Sequence, residues 1–197
     1  MKRYIAFIDF DGTITSKDTL LELIRFQKGS FLFYAGFLIN APWLLAYKLG
    51  IISNHRAKQR VLRFFFRKTP AEEFQKKCQA FSSIILPRYI RRKALDEIKR
   101  LKQLEAEIVV VSASAANWIQ PWTDSMGLKL IATVLETRNG KMTGKIDGRN
   151  CSGKEKPRRI KSAYDLNSFD ELYAYGDSKG DLPMMALATH SFFRPFR

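Results

Sequence analysis

Tyr4-Ile5-Ala6-Phe7-Ile8-Asp9-Phe10-Asp11-Gly12-Thr13-Ile14-Thr15 decides how the rest of the chain is read. Tyr4 to Ile8 is a short apolar run, the form taken by a strand buried on both faces. It gives way at once to two aspartates, and Gly12 marks a sharp backbone turn. Strands buried on both faces belong to parallel sheets covered by helices, so the opening residues predict an α/β fold.

The same pattern recurs twice downstream. Ile108-Val109-Val110-Val111 is a second buried-strand run and ends at Ser112-Ala113-Ser114. Leu172-Tyr173-Ala174-Tyr175 is another and ends in Gly176-Asp177-Ser178-Lys179-Gly180-Asp181. Ile131 to Val134 reads as a further strand, and Asn139-Gly140 predicts a hairpin with an antiparallel pair around it. Helices are expected from about Asn117, from about Lys156 to Tyr164, and around Met184 and Met185. The expected fold is a Rossmann-like, mainly parallel sheet.

The interval from about Ser16 to Arg88 breaks this alternation, because it reads as helix only. Asp18 is the expected cap of its first helix and Thr69 the cap of a later one, with Pro70 at the first helical position. Phe31 to Ile52 is the most apolar part of the chain, with Lys48 as its one charge and Pro42 near its middle. It is long enough to meet a membrane, or it forms two buried helices broken near Pro42. The expected organisation is an α/β core of residues 1–15 and 89–197 with a helical cap of residues 16–88.

Composition narrows the function classes. A hydrophobic fraction of 46% with 27% charged residues excludes disorder by composition. The 34 Lys+Arg against 19 Asp+Glu give a formal charge of +15, which attracts anions: phosphorylated metabolites, nucleic acid or an anionic bilayer. Arg56, Lys58, Arg60 and Arg63 lead into Phe64-Phe65-Phe66, a basic and aromatic mixture that could stack single strands, but no nucleic-acid motif accompanies it. Cys78 and Cys151 form no CxxC pair, which argues for a reducing cytoplasmic setting and against zinc. The apolar start is too short for an export signal.

The polar clusters after the three strand ends carry the chemistry. In open α/β sheets ligands bind at the carboxyl edge of the strands, which would gather Asp9/Asp11, Ser112/Ser114 and Asp177/Asp181. Asp9 and Asp177 offer the hard oxygens that suit Mg²⁺. A carboxylate can attack phosphorus and form an aspartyl-phosphate, and Asp11 beside it could protonate the leaving oxygen and then activate water. Ser112 could hold a phosphoryl oxygen, and Lys154 or Lys156 could neutralise the transferring group.

Asp9-Phe10-Asp11-Gly12-Thr13 resembles the first signature of the haloacid dehalogenase superfamily, and Val109-Val110-Val111-Ser112 and Gly176-Asp177 to Asp181 resemble two others. A helical insertion after the first strand resembles the phosphoserine-phosphatase-like branch. The resemblance implies an Mg²⁺-dependent phosphatase. Asp9 would be nucleophile and metal ligand, Asp11 acid/base and ligand through its carbonyl, and Asp177 a further ligand. Asp181 would bind or orient the metal shell. Ser112 and one lysine would hold the phosphoryl group. Cys151-x-Gly-x-Glu155-Lys156 is similar to bacterial members including phosphatidylglycerophosphatase-type enzymes and favours Lys156, whereas spacing to Gly176 favours Lys154. Asp18 stands where phosphoserine phosphatases carry a longer glutamate. With Ser114 and Arg60 it completes the expected substrate contacts. The apolar, basic cap fits a phospholipid head group better than a small zwitterion, with an anionic membrane surface as the partner. A phosphotransferase would use the same residues. The competing class is a catalytically weak binding protein on this fold.

Overall fold

The computed structural model describes residues 2–197. Six strands form one sheet in the order β4-β3-β2-β1-β5-β6. They are β1 (Tyr4–Ile8), β2 (Glu107–Ala115), β3 (Lys129–Arg138), β4 (Lys141–Asp147), β5 (Glu171–Gly176) and β6 (His190–Phe193). All neighbours are parallel except β3 and β4, whose hairpin turns at Asn139 and Gly140, both in the left-handed region. Two consecutive positive-φ residues give the turn whose twist matches its strands, which is why Asn-Gly predicted it. The strand β6 has no counterpart in the sequence reading: it is four exposed residues at a sheet edge, too short for an apolar period.

β1 is central, and the order reverses about it, with β2 on one side and β5 on the other. Ile8 pairs with Val110 and also with Tyr175. That register delivers Asp9, Ser112 and Asp177 to the same carboxyl edge, at the switch point where such sheets bind ligands. Ile5, Phe7, Val109, Val111, Ile160 and Leu172 form a core on one face of the sheet, and a larger core fills the other.

Seven α-helices accompany the sheet among the described residues. Four of them, α1 (Thr19–Lys48), α2 (Asn54–Phe66), α3 (Ala71–Ala80) and α4 (Arg92–Gln103), lie between β1 and β2. The others are α5 (Ala116–Ser125), α6 (Glu155–Ala163) and α7 (Leu182–Met185). Where the chain leaves and rejoins the sheet region, Ser16 N donates to Tyr89 O at 2.8 Å and Arg91 N to Ile14 O at 2.8 Å.

Two local expectations need correction. The long apolar helix breaks at Gly29 (φ 78°, ψ 165°) and continues through Pro42. A left-handed glycine interrupts a helix outright, whereas proline removes one ladder bond. Nor are these two buried helices: Phe31 is 83% exposed, Leu38 77% and Ile51 72%. Asp18 does cap α1, accepting from Leu20 N and Leu21 N. Thr69 does not cap α3; Pro70 occupies that position. The Thr69 carbonyl instead accepts from Met142 N at 2.9 Å, so the stretch before α3 is spent on pairing with β4.

Candidate active site

Asp9 follows β1 and is buried, with its backbone N–H fixed on Tyr175 O at 2.9 Å. The chain then turns tightly through Phe10–Ile14. Gly12 has φ 83°, and a Cβ there would stand 2.5 Å from Asp177 Oδ2. Only glycine permits both the backbone conformation and that approach. Gly176 is constrained by close approach alone: a Cβ there would meet the Asp181 side chain at 2.4 Å. The glycines of the two signatures therefore bring the aspartates together.

Asp9, Asp177 and Asp181 each place one carboxylate oxygen within 4.8 Å of the others. Lys156 lies between two of them, 2.6 Å from Asp9 Oδ1 and 2.6 Å from Asp181 Oδ1, and is almost completely buried. Thr13 Oγ1 donates to Asp9 Oδ2 at 3.0 Å. Asp181 Oδ2 accepts from the Asp177 and Ser178 N–H groups and from Ser178 Oγ. One ammonium cannot neutralise two carboxylates. Asp181, with its additional donors, is held below the usual carboxylate range despite its burial, mainly by Lys156. Burial pushes Asp9 up to about 7, against the pull of Lys156. Burial alone would lower Lys156, but Asp9 and Asp181 outweigh it and raise the ammonium. The donor set is all hard oxygen with surplus negative charge, which fits a divalent cation such as Mg²⁺.

Asp11 is held by Thr19, whose N–H and Oγ1 both donate to Oδ1 at 2.6 Å. Ser112 Oγ approaches Asp11 Oδ2 at 3.5 Å and accepts from Ser114 N at 3.0 Å. Ser112 is completely buried behind the cavity wall, and Ala113 and Ser114 form that wall.

The aspartates open into a cavity of about 320 Å³. Its far side is supplied by α1 and α2: Leu20, Leu21, Phe37, Leu44, Val61 and Lys58. The structure separates the remaining candidates. Lys156 and Asp18 line this cavity. Lys154 does not: it is exposed just before α6 and faces a different groove. The helical phase explains this, since two residues rotate a side chain by roughly 200°. Arg60 is also outside, exposed with its guanidinium over the Trp43 ring at 5.1 Å. Lys58, two residues earlier on α2, reaches the cavity instead and donates to Ala113 O at 2.7 Å. Sequence reasoning passed over Lys58 as one of several cations in a basic run. Arg197, which pairs with Asp177 Oδ2, lies 20 residues away with no motif to signal it.

Glu155, the residue before Lys156, pairs within α6 itself. It sits in the first turn of α6 and binds Arg158 and Arg159. Arg158 first, with Arg159, holds its carboxyl down at about 2, although burial opposes them. A depressed acid contributes stability that is present above its unfolded pKa and is lost as pH falls through the folded value. The gap in urea midpoint between the protein and Glu155→Gln is therefore expected to be constant above about pH 5 and to close towards about pH 2. A gap that widens on acidification would contradict this arrangement.

A haloacid dehalogenase-like hydrolase profile matches residues 6–186. Protein CicA of Caulobacter vibrioides is 30% identical over 197 residues, covering 98% of this chain and 86% of that protein. A probable phosphatase of Mycobacterium tuberculosis is 33% identical over 101 residues, 50% of this chain and 35% of its own. Among solved structures, a Bordetella pertussis protein of unknown function superposes with a TM-score of 0.82 at 22% identity, covering 97% of this chain and 89% of its own. A phospho-aspartyl intermediate analogue of phosphoserine phosphatase superposes at 0.71 and 19%, covering 97% and 86%. The profile match runs from within β1 through the aspartate signatures to the end of α7, and on that ground the chain belongs to the haloacid dehalogenase-like hydrolase family.

Proposed function

We propose that this chain is a Mg²⁺-dependent phosphomonoesterase working through an aspartyl-phosphate on Asp9. The observation that carries the reading is the buried Asp9 carboxylate at a cavity floor, beside Lys156 and clustered with Asp177 and Asp181. An Asp9 oxygen attacks phosphorus, and the bond from phosphorus to the substrate oxygen breaks. Asp11, as the general acid, gives a proton to that leaving oxygen. It then takes a proton from water as the water oxygen attacks phosphorus, the bond to Asp9 breaks, and phosphate leaves. Asp9 and Asp177, with the Asp11 carbonyl, would hold Mg²⁺, which supplies positive charge against the phosphoryl oxygens. Asp181 accepts from Lys156 and from the Asp177 and Ser178 N–H groups, so it would orient the metal site through Lys156 and the loop of Asp177. Lys156 neutralises charge on the transferring group. Ser112 and Ser114 fix Asp11 and the adjoining wall.

Residues 16–88 act as a cap over this edge. Its inner face is mostly apolar, with Asp18, Asn54 and Lys58 among Leu20, Leu21, Phe37, Leu44 and Val61, which favours a phosphomonoester with an apolar part, such as a phospholipid head group, over a small phosphorylated metabolite. Its outer face is the exposed apolar side of α1, a helix long and apolar enough by length and composition to cross a bilayer. Because Phe37, Leu44 and Tyr47 of the same helix line the cavity, we read it as lying on an anionic cytoplasmic membrane surface, with Arg56, Arg60 and Arg63 each adding about 1 kcal/mol of attraction.

The test is hydrolysis of p-nitrophenyl phosphate, phosphoserine, sugar phosphates and a phospholipid with a terminal phosphomonoester, with Mg²⁺ and with chelator. Mg²⁺-dependent turnover is expected, strongest on the lipid. Folded protein inactive across all four would sink the reading. Co-sedimentation with anionic but not zwitterionic vesicles is expected at low salt, and its absence would remove the membrane clause alone.

A further inference from the structure

A second groove, of about 790 Å³, shares no lining residue with the candidate active-site cavity. One wall is the end of α2, with Arg63 in its last turn and Arg67 and Lys68 just beyond it. The other wall is the β3–β4 hairpin, with Arg138, Lys141 and Lys145. All six side chains are exposed, and none has a carboxylate within ion-pair distance among the described residues, although Glu136 also lines the groove. Cations on other helices are matched to acids: Lys76 to Glu72, Lys77 to Glu73, Arg100 to Glu97 and Arg158 to Glu155. At this groove like charges share one seam without that relief.

The backbone holds the two walls together. Lys68 N donates to Met142 O at 2.8 Å, Met142 N to Thr69 O at 2.9 Å and Ala71 N to Gly140 O at 2.9 Å. A Cβ on Gly144 would collide with the Arg63 backbone, so β4 lies directly against α2. Lys68 takes a left-handed conformation (φ 67°), uncommon for a residue with a long side chain. A helix C-terminus favours nearby cations, which accounts for Arg63 but for none of the three on the hairpin. Like charges fixed at one seam repel one another, and an anion between the walls replaces that repulsion with attraction.

We propose that this groove is a binding site for an anion carrying several closely spaced phosphate groups, either a soluble polyphosphate or the headgroup of a phospholipid. Its phosphates would meet cations from both walls, through the charge-assisted hydrogen bonds that Arg and Lys make to phosphate oxygens. The groove has the volume of a small-molecule site. No aromatic ring lines it among the described residues, so a base would have nothing to stack on, which argues against single-stranded nucleic acid. An anion bound there cross-links α2 to the hairpin and so ties the inserted helices to the sheet. The site does not depend on the phosphomonoesterase reading.

The test is calorimetric titration with inorganic tripolyphosphate in the presence of chelator, which removes metal-dependent binding at the aspartates. Saturable binding is expected, weakening as salt is added. Arg67→Gln/Lys141→Gln takes one cation from each wall, and its dissociation constant is expected to rise about tenfold, each surface contact contributing a few-fold. Arg92→Gln/Lys99→Gln removes the same charge from exposed positions on α4 and is expected to change it by less than about twofold. Tripolyphosphate is also expected to raise the melting temperature of the unmodified protein more than that of Arg67→Gln/Lys141→Gln. Equal weakening by the two pairs would show that the anion answers only the overall charge and would overturn the site, as would the absence of saturable binding to the unmodified protein. Sedimentation with vesicles of cardiolipin in phosphatidylcholine identifies the source. Sedimentation that tripolyphosphate displaces, and that Arg67→Gln/Lys141→Gln weakens more than the α4 pair, assigns a lipid headgroup; tripolyphosphate binding with sedimentation alike in both pairs assigns a soluble anion. Either result keeps the groove as the site.

Discussion

Asp9→Asn is expected to reduce Mg²⁺-dependent turnover of p-nitrophenyl phosphate by at least about 10⁴-fold, the scale on which removal of a nucleophile acts. Asparagine keeps the shape of the side chain but offers no anionic oxygen to attack phosphorus. The fold should survive. Asp9 is buried, and its carboxyl is pushed up to about 7 mainly by that burial, so the ionised group is an expense to the folded chain rather than a support. Lys156 keeps Asp181 as its partner at 2.6 Å. The melting temperature without metal is therefore expected to be unchanged or higher. Trapping gives an independent reading: a hydroxylamine-sensitive phosphoryl label should form on the unmodified protein and be missing from Asp9→Asn. Retention of more than about a hundredth of the turnover would show that Asp9 is not the nucleophile.

Lys156→Met is expected to damage both chemistry and folding. The methionine fills a similar volume but leaves the buried Asp9 and Asp181 carboxylates facing one another without the ammonium that lies 2.6 Å from each. Breaking a buried ion pair by removing one partner costs about 3–5 kcal/mol. Turnover should fall by about 10²–10³-fold, as when one donor to a developing anion is removed. Lys156→Arg should not restore it, because a planar fork cannot replace a point charge between two oxygens. Lys154→Met is the control. Its side chain is exposed, and stability should change by no more than about 0.5 kcal/mol. Urea unfolding and kcat measured on both variants decide between the lysines; damage from Lys154→Met with none from Lys156→Met would reverse the assignment.

Much of the site was legible because β1, β2 and β5 are buried on both faces and so appear as unbroken apolar runs. Each run ends at a polar cluster, and a parallel sheet gathers strand ends on one edge. Gly12 and Gly176 were legible as turn glycines, although the reason for them, the closeness of Asp177 and Asp181, is tertiary. The break in α1 was misplaced because Pro42 is the louder signal. Gly29 ends the regular helix by adopting a left-handed φ, which glycine permits but does not compel. The four exposed residues of β6 gave no period to read.

What the sequence determined by itself was the fold class, the family signatures, and the set of aspartates near the strand ends, since these depend on local apolar runs and on motifs of a few residues. Only tertiary structure showed which of Lys154 and Lys156, and which of Arg60 and Lys58, lines the cavity, and whether α1 buries or exposes its apolar side. The physical reason is common to all three. Each is a question of which way a side chain on a helix points, and neighbouring basic or apolar residues look alike in sequence until packing fixes the rotation of the helix. For α6 that rotation turns Lys156 inward to two carboxylates and Lys154 outward to water.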